Sequence, residues 1–227
     1  MHSDNAPQWF KFLVSGALAA IIIFFCRTKS DPEAKRRRDL AALAQKLQLH
    51  FNLQNDFKVA EKFSFFSWLR RGDVRYAYNV FRGIHLGHPV TIFDYHFSTT
   101  GGKQGLDYYW SALVVEMSTN FPDTLISHES LGSRFAELLG RPHITFESAE
   151  FSRTFRVCSA DKKFAYEVCH PKMMEYLLAN QDLTVEISRT GMALLFEDWL
   201  RPEKIEGNLA RLIEIRKLLP EHLFTKN

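Results

Sequence analysis

Cysteine is nearly missing from this chain: Cys26, Cys158 and Cys169 are the three among 227 residues. Three scattered thiols do not frame a disulfide-stapled fold, and no C-x-x-C pair offers a zinc or redox site. Cys158 and Cys169 read as buried apolar packing, in a reducing compartment. A nucleophile elbow is missing too: no G-x-S-x-G occurs, and Gly132-Ser133 falls inside an expected helix. Gly101-Gly102-Lys103-Gln104-Gly105 looks superficially like a phosphate loop, but glutamine stands where a hydroxyl must hold Mg²⁺. That stretch also joins two expected strands rather than a strand to a helix, so a hairpin loop is the better reading. There is no repeat of 20–50 residues and no linker longer than a loop. The folded part also lacks a basic excess. Of 29 Lys+Arg and 26 Asp+Glu, seven and three lie at or before Arg38, leaving 22 against 23 beyond it. A nucleic-acid binder carries its positive charge on the folded surface, so that class is set aside.

Apolar and aromatic residues are plentiful, at 46% and 14%, with 20 Phe. A chain this long, less an anchor, builds one sizeable domain or two small ones. The anchor is the clearest feature. Phe12 to Cys26 carries no charge and runs into Arg27, Lys29, Lys35, Arg36, Arg37 and Arg38. Fifteen helical residues rise roughly 22 Å, and extending back through Lys11 and Phe10 to Trp9 brings roughly 27 Å, close to a ~30 Å hydrocarbon core. Lys11 can snorkel to the headgroups and Trp9 suits the interfacial belt. A secretory signal is the rival reading. It has the opposite charge order, and it needs small residues where this chain has the bulky Ile23-Phe24-Phe25-Cys26. The same bulk argues against lipidation of Cys26. Six cations against two acids in 27–38 place the domain on the cytoplasmic side. The basic block is either a topology signal alone or also an attractor for anionic lipid.

The expected order is therefore a short external tail over 1–8, a transmembrane anchor over 9–26 and a basic juxtamembrane helix over 27–50. A cytoplasmic α+β domain follows over 51–227, with a possible subdivision near 120. Ser30 and Glu33 have capping-box spacing and Pro32 suits a first turn. Leu40, Leu43, Leu47 and Phe51 then mark one helix face. Lys58 to Leu69 is unusually aromatic, with Phe63, Phe65, Phe66 and Trp68, and reads as core or as an edge on the bilayer. From Val74 the period is two: Val74, Tyr76, Tyr78 and Val80 share one face, and Thr91, Phe93, Tyr95 and Phe97 another. Leu106 to Met117, apolar on both faces, is expected as the central third strand of an antiparallel meander.

Further on, Leu131, Phe135 and Leu138 form a helical stripe closed by Gly140 and Pro142. His143 to Glu147 and Arg153 to Cys158 read as strands. Asp161 caps a helix through Val168, and Met173, Met174, Leu177 and Leu178 continue it after His170-Pro171. Leu183 to Ser188 and Met192 to Phe196 flank Arg189-Thr190-Gly191 as a hairpin. Ile205, Leu209, Leu212 and Leu219 form a last helix between Pro202 and Pro220. The fold class is thus α+β, an N-terminal transmembrane helix followed by a mainly antiparallel sheet packed with helices.

At several of these places the chain resembles bacterial membrane-anchored domain families of unknown function. The matching motifs are Ile144-Thr145-Phe146-Glu147, Glu150 to Val157, Asp161, Pro171 to Leu178 and the turn at Gly191. Upstream they are Gly72, Asn79-Val80-Phe81-Arg82-Gly83 and Phe93-Asp94-Tyr95. The resemblance spans about residues 40–200 and implies a bacterial inner-membrane protein with a single anchor. It implies no activity, cofactor or catalytic residue.

Chemistry has few candidates. His85 and His88, with His96 and Asp94, offer imidazole and carboxylate ligands of the kind zinc takes, although the first two fall in a turn. Asp94, His96, Asp107 and Glu116 lie on adjacent expected strands, as an acid–base set does. Three functions from different classes follow. One is a membrane-tethered interaction or scaffold domain with an unknown protein partner. Another is a hydrolase or metal-dependent enzyme using the hairpin histidines and aspartates. The third is a peripheral lipid-binding module. The first is the leading expectation, with no cofactor and with the bilayer as a partner through the N-terminal helix.

Overall fold

The computed structural model describes residues 31–99, 105–130 and 143–225. It divides into two compact units, residues 1–39 and 40–227. The expected anchor over 9–26 lies outside the described residues, as does the helical stripe at Leu131, Phe135 and Leu138. Among the described residues no helix is long and apolar enough to cross a membrane.

Helix α1 (Pro32–Lys46) begins where proline was expected, in the first turn. Asp31 caps it, its Oδ1 accepting from the Glu33 N–H at 3.1 Å. Glu33 in turn accepts from Arg36 and Arg37, each at 3.1 Å. These contacts hold its carboxyl below the usual range, the Arg36 hydrogen bond foremost. Two of the expected topology cations are therefore tied within their own helix. Near the C-terminus Leu40, Leu43 and Ala44 are buried. The helix stops at Gln48, whose φ of 56° is left-handed, and Leu49 N–H donates back to Ala44 O at 2.9 Å. That six-to-one bond is a Schellman closure made without the usual glycine.

The six-stranded antiparallel sheet is built on β4 (Leu106–His128). Strand β1 (His50–Asn52) pairs with β2 (Arg75–His85), β2 with β3 (His88–Thr99), and β3 with the first half of β4. On the same edge further along, β5 (Phe155–Ser159) pairs with Thr124–His128. Strand β6 (Thr184–Phe196) follows the opposite edge of both halves. The meander is as expected, its β2–β3 turn formed by Leu86 and Gly87 with φ of 49° and 81°, the pair of positive values a type I′ hairpin needs. The strand faces differ in one respect. A register shift between Tyr78 and Phe81, with Asn79 at φ 48°, turns Val80 to the face of Ala77 rather than that of Tyr76 and Tyr78.

Two expectations fail at β4 and β6 for one reason. Strand β4 continues eleven residues past Met117, and Arg189-Thr190-Gly191 is no self-paired hairpin. Both halves of β6 pair with β4 instead, from Ser111↔Phe196 to Ile126↔Val185. Between Gly191 and Ile187 β6 takes four residue steps while β4 takes eight, from Glu116 to Thr124. The longer path bends the ribbon, accommodates Pro122 and places Arg189 at φ 45°. Thr184 and Phe196, at the two ends of β6, line one cavity. A straight strand would hold them roughly 40 Å apart, so the ribbon folds back sharply.

His143 to Glu147 is not a strand either. It contributes one bridge, His143↔Cys158, and then Ser148 caps α3 (Ala149–Thr154), which takes up the start of the segment expected as a strand from Arg153. Asp161 caps α4 (Lys162–Val168) as expected, accepting from the Lys163 and Phe164 N–H groups. Helix α5 (Pro171–Leu178) follows, and α6 (Pro202–Leu218) closes the fold between its two prolines.

Two cores flank the sheet. On one face Ile92, Leu113, Val115, Met192 and Leu194 meet the apolar stripes of α1, α5 and α6, among them Leu43, Met173, Leu177 and Leu209. On the other face Phe93, Tyr95, Phe97 and Trp110 meet Val59, Phe63, Phe66, Trp68 and Leu69, from α2 (Phe57–Lys62), the 3₁₀ turn Ser67–Arg70 and the link between them. Phe63, Phe66 and Trp68 are at most 1% exposed, so these aromatics are core and do not lie on a bilayer. Gly191 lets this cover close over the ribbon's bend: a Cβ there would stand 2.8 Å from Phe66 Cζ.

Candidate functional site

The expected chemical residues meet in pairs and do not gather into one set. His85 and His88 face each other across the hairpin turn. Eight residues of strand, roughly 27 Å, separate His88 from His96. Burial and the nearby Arg216 and Lys217 hold His88 below its ordinary pKa. Among the described residues no cluster of three metal-ligating side chains forms. His96 Nε2 pairs with Asp107 Oδ1 at 3.0 Å, and Glu116 accepts from Lys62 at 2.6 Å. Cys158 and Cys169 are buried and not disulfide-bonded to each other, and burial pushes the Cys169 thiol far up. The glycine-rich loop follows the pair Thr99↔Leu106 and so links two antiparallel strands, which is not the context of a phosphate loop. Residues 100–104 lie outside the described residues, as do Trp9, Lys11, Arg27 and Lys29. Lys35 and Arg38 stand in α1, where Arg38 Nε donates to Ala34 O at 3.3 Å.

Asp94, a candidate for acid–base work, has a different task. It is fully buried and accepts from Asn79 Nδ2 at 2.7 Å and from the Leu200 N–H at 2.6 Å. It thereby pins the segment joining β6 to α6 onto the sheet. That segment carries Trp199, which is 48% exposed. Trp199 completes a row of rings crossing the end of the sheet. Centroids are 5.8 Å apart for Phe57–Tyr76, 4.7 Å for Tyr76–His96, 5.1 Å for His96–Tyr109 and 5.5 Å for Tyr109–Trp199. The register Tyr76↔His96↔Tyr109 aligns the middle three across adjacent strands. Burial raises the Tyr76 phenol, and Tyr109 and Asp107 add to the effect, so it stays a protonated donor.

The row ends at a cavity of about 300 Å³ between the bent β4–β6 ribbon and the start of α6. Ser111 and Leu113 continue the Tyr109 face of β4 into it. Phe196 and Thr184 arrive from the two ends of β6, Trp199 from the pinned segment, and Asn208 from α6. Its charged groups are balanced: Asp198 is bonded to Arg201, and Asp182 accepts from Arg211 at 2.7 Å, which holds the Asp182 carboxyl low. Arg211 also bonds Asn208. A shallower hollow continues along α6 to Gly207 and Arg211.

Sequence reasoning gave no place to Trp199 or to this cavity, because the ribbon's bend brings the lining together. It also gave none to Glu186. This carboxyl is fully buried beneath the aromatic cover and accepts from the Ser67 N–H at 2.8 Å. Burial pushes it up to about 7, against the pull of Ser67 and with a further push from Asp123. Its Oε2 and the Ser67 hydroxyl beside it are sealed in without a well-formed hydrogen bond. Its position in the alternation Thr184-Val185-Glu186-Ile187 was the available signal, an acid on a strand face.

No protein-family model matches the chain, and no curated protein matches it in sequence. Among solved structures it is similar to the crystal structure of the mycobacterial trehalose monomycolate transport factor A, TtfA. The TM-score is 0.58 at 12% identity, with 81% of this chain and 96% of that chain covered. At that identity the likeness is one of fold.

Proposed function

We propose that this chain is a membrane-tethered recognition domain that works by binding and not by catalysis, and that its binding face is the aromatic row with the adjoining cavity. One observation carries the reading: exposed rings gather beside the cavity, while the polar groups expected to do chemistry are engaged in structural contacts. Asp94 holds the Trp199 segment, Asp107 holds His96, and Glu116 pairs with Lys62. Exposed aromatic side chains beside a concave site are what recognition surfaces enrich.

The tether is the apolar run 9–26, with the basic residues that follow setting the domain on the cytoplasmic face of a bacterial inner membrane. This is the arrangement that the motif resemblance to bacterial membrane-anchored families implies. The structural neighbour is named as a mycobacterial trehalose monomycolate transport factor. A role at a membrane accords with that, as does a domain without a basic excess or nucleic-acid character.

The test is a photo-crosslinking residue, p-benzoylphenylalanine, placed at position 199 of the full chain in cells, with position 166 as the control. Tyr166 is 43% exposed and stands in α4, outside the cavity lining. Intact-mass analysis should show adducts at 199 and not at 166. Equal labelling, or none at 199, removes the recognition reading. Green fluorescent protein fused after Asn227 should be bright and alkaline phosphatase inactive, and the opposite pattern inverts the topology.

A further inference from the structure

Resting on that recognition reading, we infer that the site beside Trp199 takes a pyranose ring, an uncharged polyhydroxylated ligand with one apolar face. The first ground is charge. The carboxylates of Asp182, Glu197 and Asp198 are matched by Arg201 and Lys204 in the lining and by Arg211 at the rim. A phosphate needs a cationic surplus and a metal or quaternary amine an anionic one. This cavity presents neither.

The second ground is a pair of buried hydroxyls. Ser111 and Thr184 are each 2% exposed and line the cavity. Hydroxyls held in such a place are open to a ligand that both donates and accepts. Asn208 and the carboxylates of Asp182 and Asp198 add planar groups. The two carboxylates keep acceptor capacity beyond their Arg bonds, because a carboxylate accepts at about four lone-pair positions. Planar two-atom acceptors match the adjacent hydroxyls of a sugar.

The third ground is the wall. A pyranose presents a face of C–H bonds, which the negative face of an aromatic ring attracts. Trp199 stands at the cavity mouth with almost half its surface free, and Tyr109 is 40% exposed beside it. At about 300 Å³ the cavity is at the lower end of ligand sites, room for one or two sugar rings. The row from Tyr109 toward Phe57 extends the platform beyond it.

The shared chemistry is the ring, whether in a soluble saccharide or in a glycolipid headgroup, and the experiment separates the two. The full chain in phosphatidylcholine nanodiscs is titrated with maltose, cellobiose and trehalose while saturation-transfer NMR reports contact with ring protons. Saturation is expected with at least one sugar. Trp199→Ala should weaken it about ten-fold and Ser111→Ala several-fold, with both variants melting as the parent does. Nanodiscs doped with diglucosyl diacylglycerol then assign the source: loss of the free-sugar signal identifies a lipid headgroup, and its retention a soluble saccharide. Either result supports the inference. No saturation with any sugar together with no glycolipid-dependent change in tryptophan fluorescence overturns it, as does binding that Trp199→Ala leaves intact. If crosslinking at 199 persists in that case, the recognition reading stands and only the ligand class falls.

Discussion

Changing Glu186 to Gln should stabilise the protein at alkaline pH and leave it unchanged in mild acid. The native carboxyl titrates near about 7 against an ordinary 4.5, chiefly because it is buried. At about 1.36 kcal/mol per pH unit, the ionised form therefore costs the fold about 3 kcal/mol. Below about pH 4.5 both folded and unfolded chains hold the proton, and the residue costs nothing. Between there and about 7 the unfolded chain has lost its proton while the native one keeps it, so stability falls as pH rises. Above about 7 both are ionised and the penalty is complete. The neutral acid also supplies an O–H where Oε2 and the Ser67 hydroxyl otherwise face each other without a good bond. Glutamine is neutral throughout and keeps an acceptor for the Ser67 N–H, which binds at 2.8 Å. Urea unfolding of residues 31–227 at pH 4 and pH 8.5 reads the difference. The midpoint of Glu186→Gln should rise by about 1 M urea at pH 8.5, given a slope of 2–3 kcal/mol/M, and scarcely move at pH 4. A change that is the same at both pH values, or a loss of stability at both, would refute the account of a strained buried carboxylate.

Trp68→Ala should cost about 3–5 kcal/mol, since Trp68 is fully buried and packs against Phe66, Phe93, Tyr95 and Trp110; calorimetry showing under 1 kcal/mol would return the 63–68 aromatics to the surface. Gln48→Gly should add about 0.5–1 kcal/mol, because Gln48 closes α1 at a φ of 56° where glycine is unstrained; a thermal midpoint that falls would show that its side chain holds the turn. Replacing both His85 and His88 by alanine should stay within about 0.5 kcal/mol, as for surface sites generally. Stoichiometric zinc on the purified chain, lost in that double variant together with several kcal/mol, would revive the metal-site reading.

How far the fold was legible follows the range of the interactions involved. Asp161 before Lys163 and Phe164, Pro202 and Pro220 around α6, and Leu86-Gly87 between β2 and β3 act within a few residues. Each was readable, or fell within one residue of its expected place, because capping and turn geometry are local. Arg189-Thr190-Gly191 carries the same kind of turn signal and misled, since its flanks satisfy their backbone groups on β4 and not on each other. His143 to Glu147 has strand-like residues, yet Ser148 starts a helix before a ladder can extend beyond one bridge.

The candidate site divides in the same way. From composition and periodicity alone came an α+β domain with ample core, a charge-neutral folded part, and the absence of a nucleophile elbow or phosphate loop. Those properties depend on residue type and near neighbours, so chain order suffices. The aromatic row, the cavity beside Trp199, the structural duty of Asp94 and the strained Glu186 depend on residues 15 to 119 positions apart meeting around a bent ribbon. Only tertiary packing decided them, because one residue of register changes which face of a strand a side chain occupies, and the bend in β4 alters that register twice.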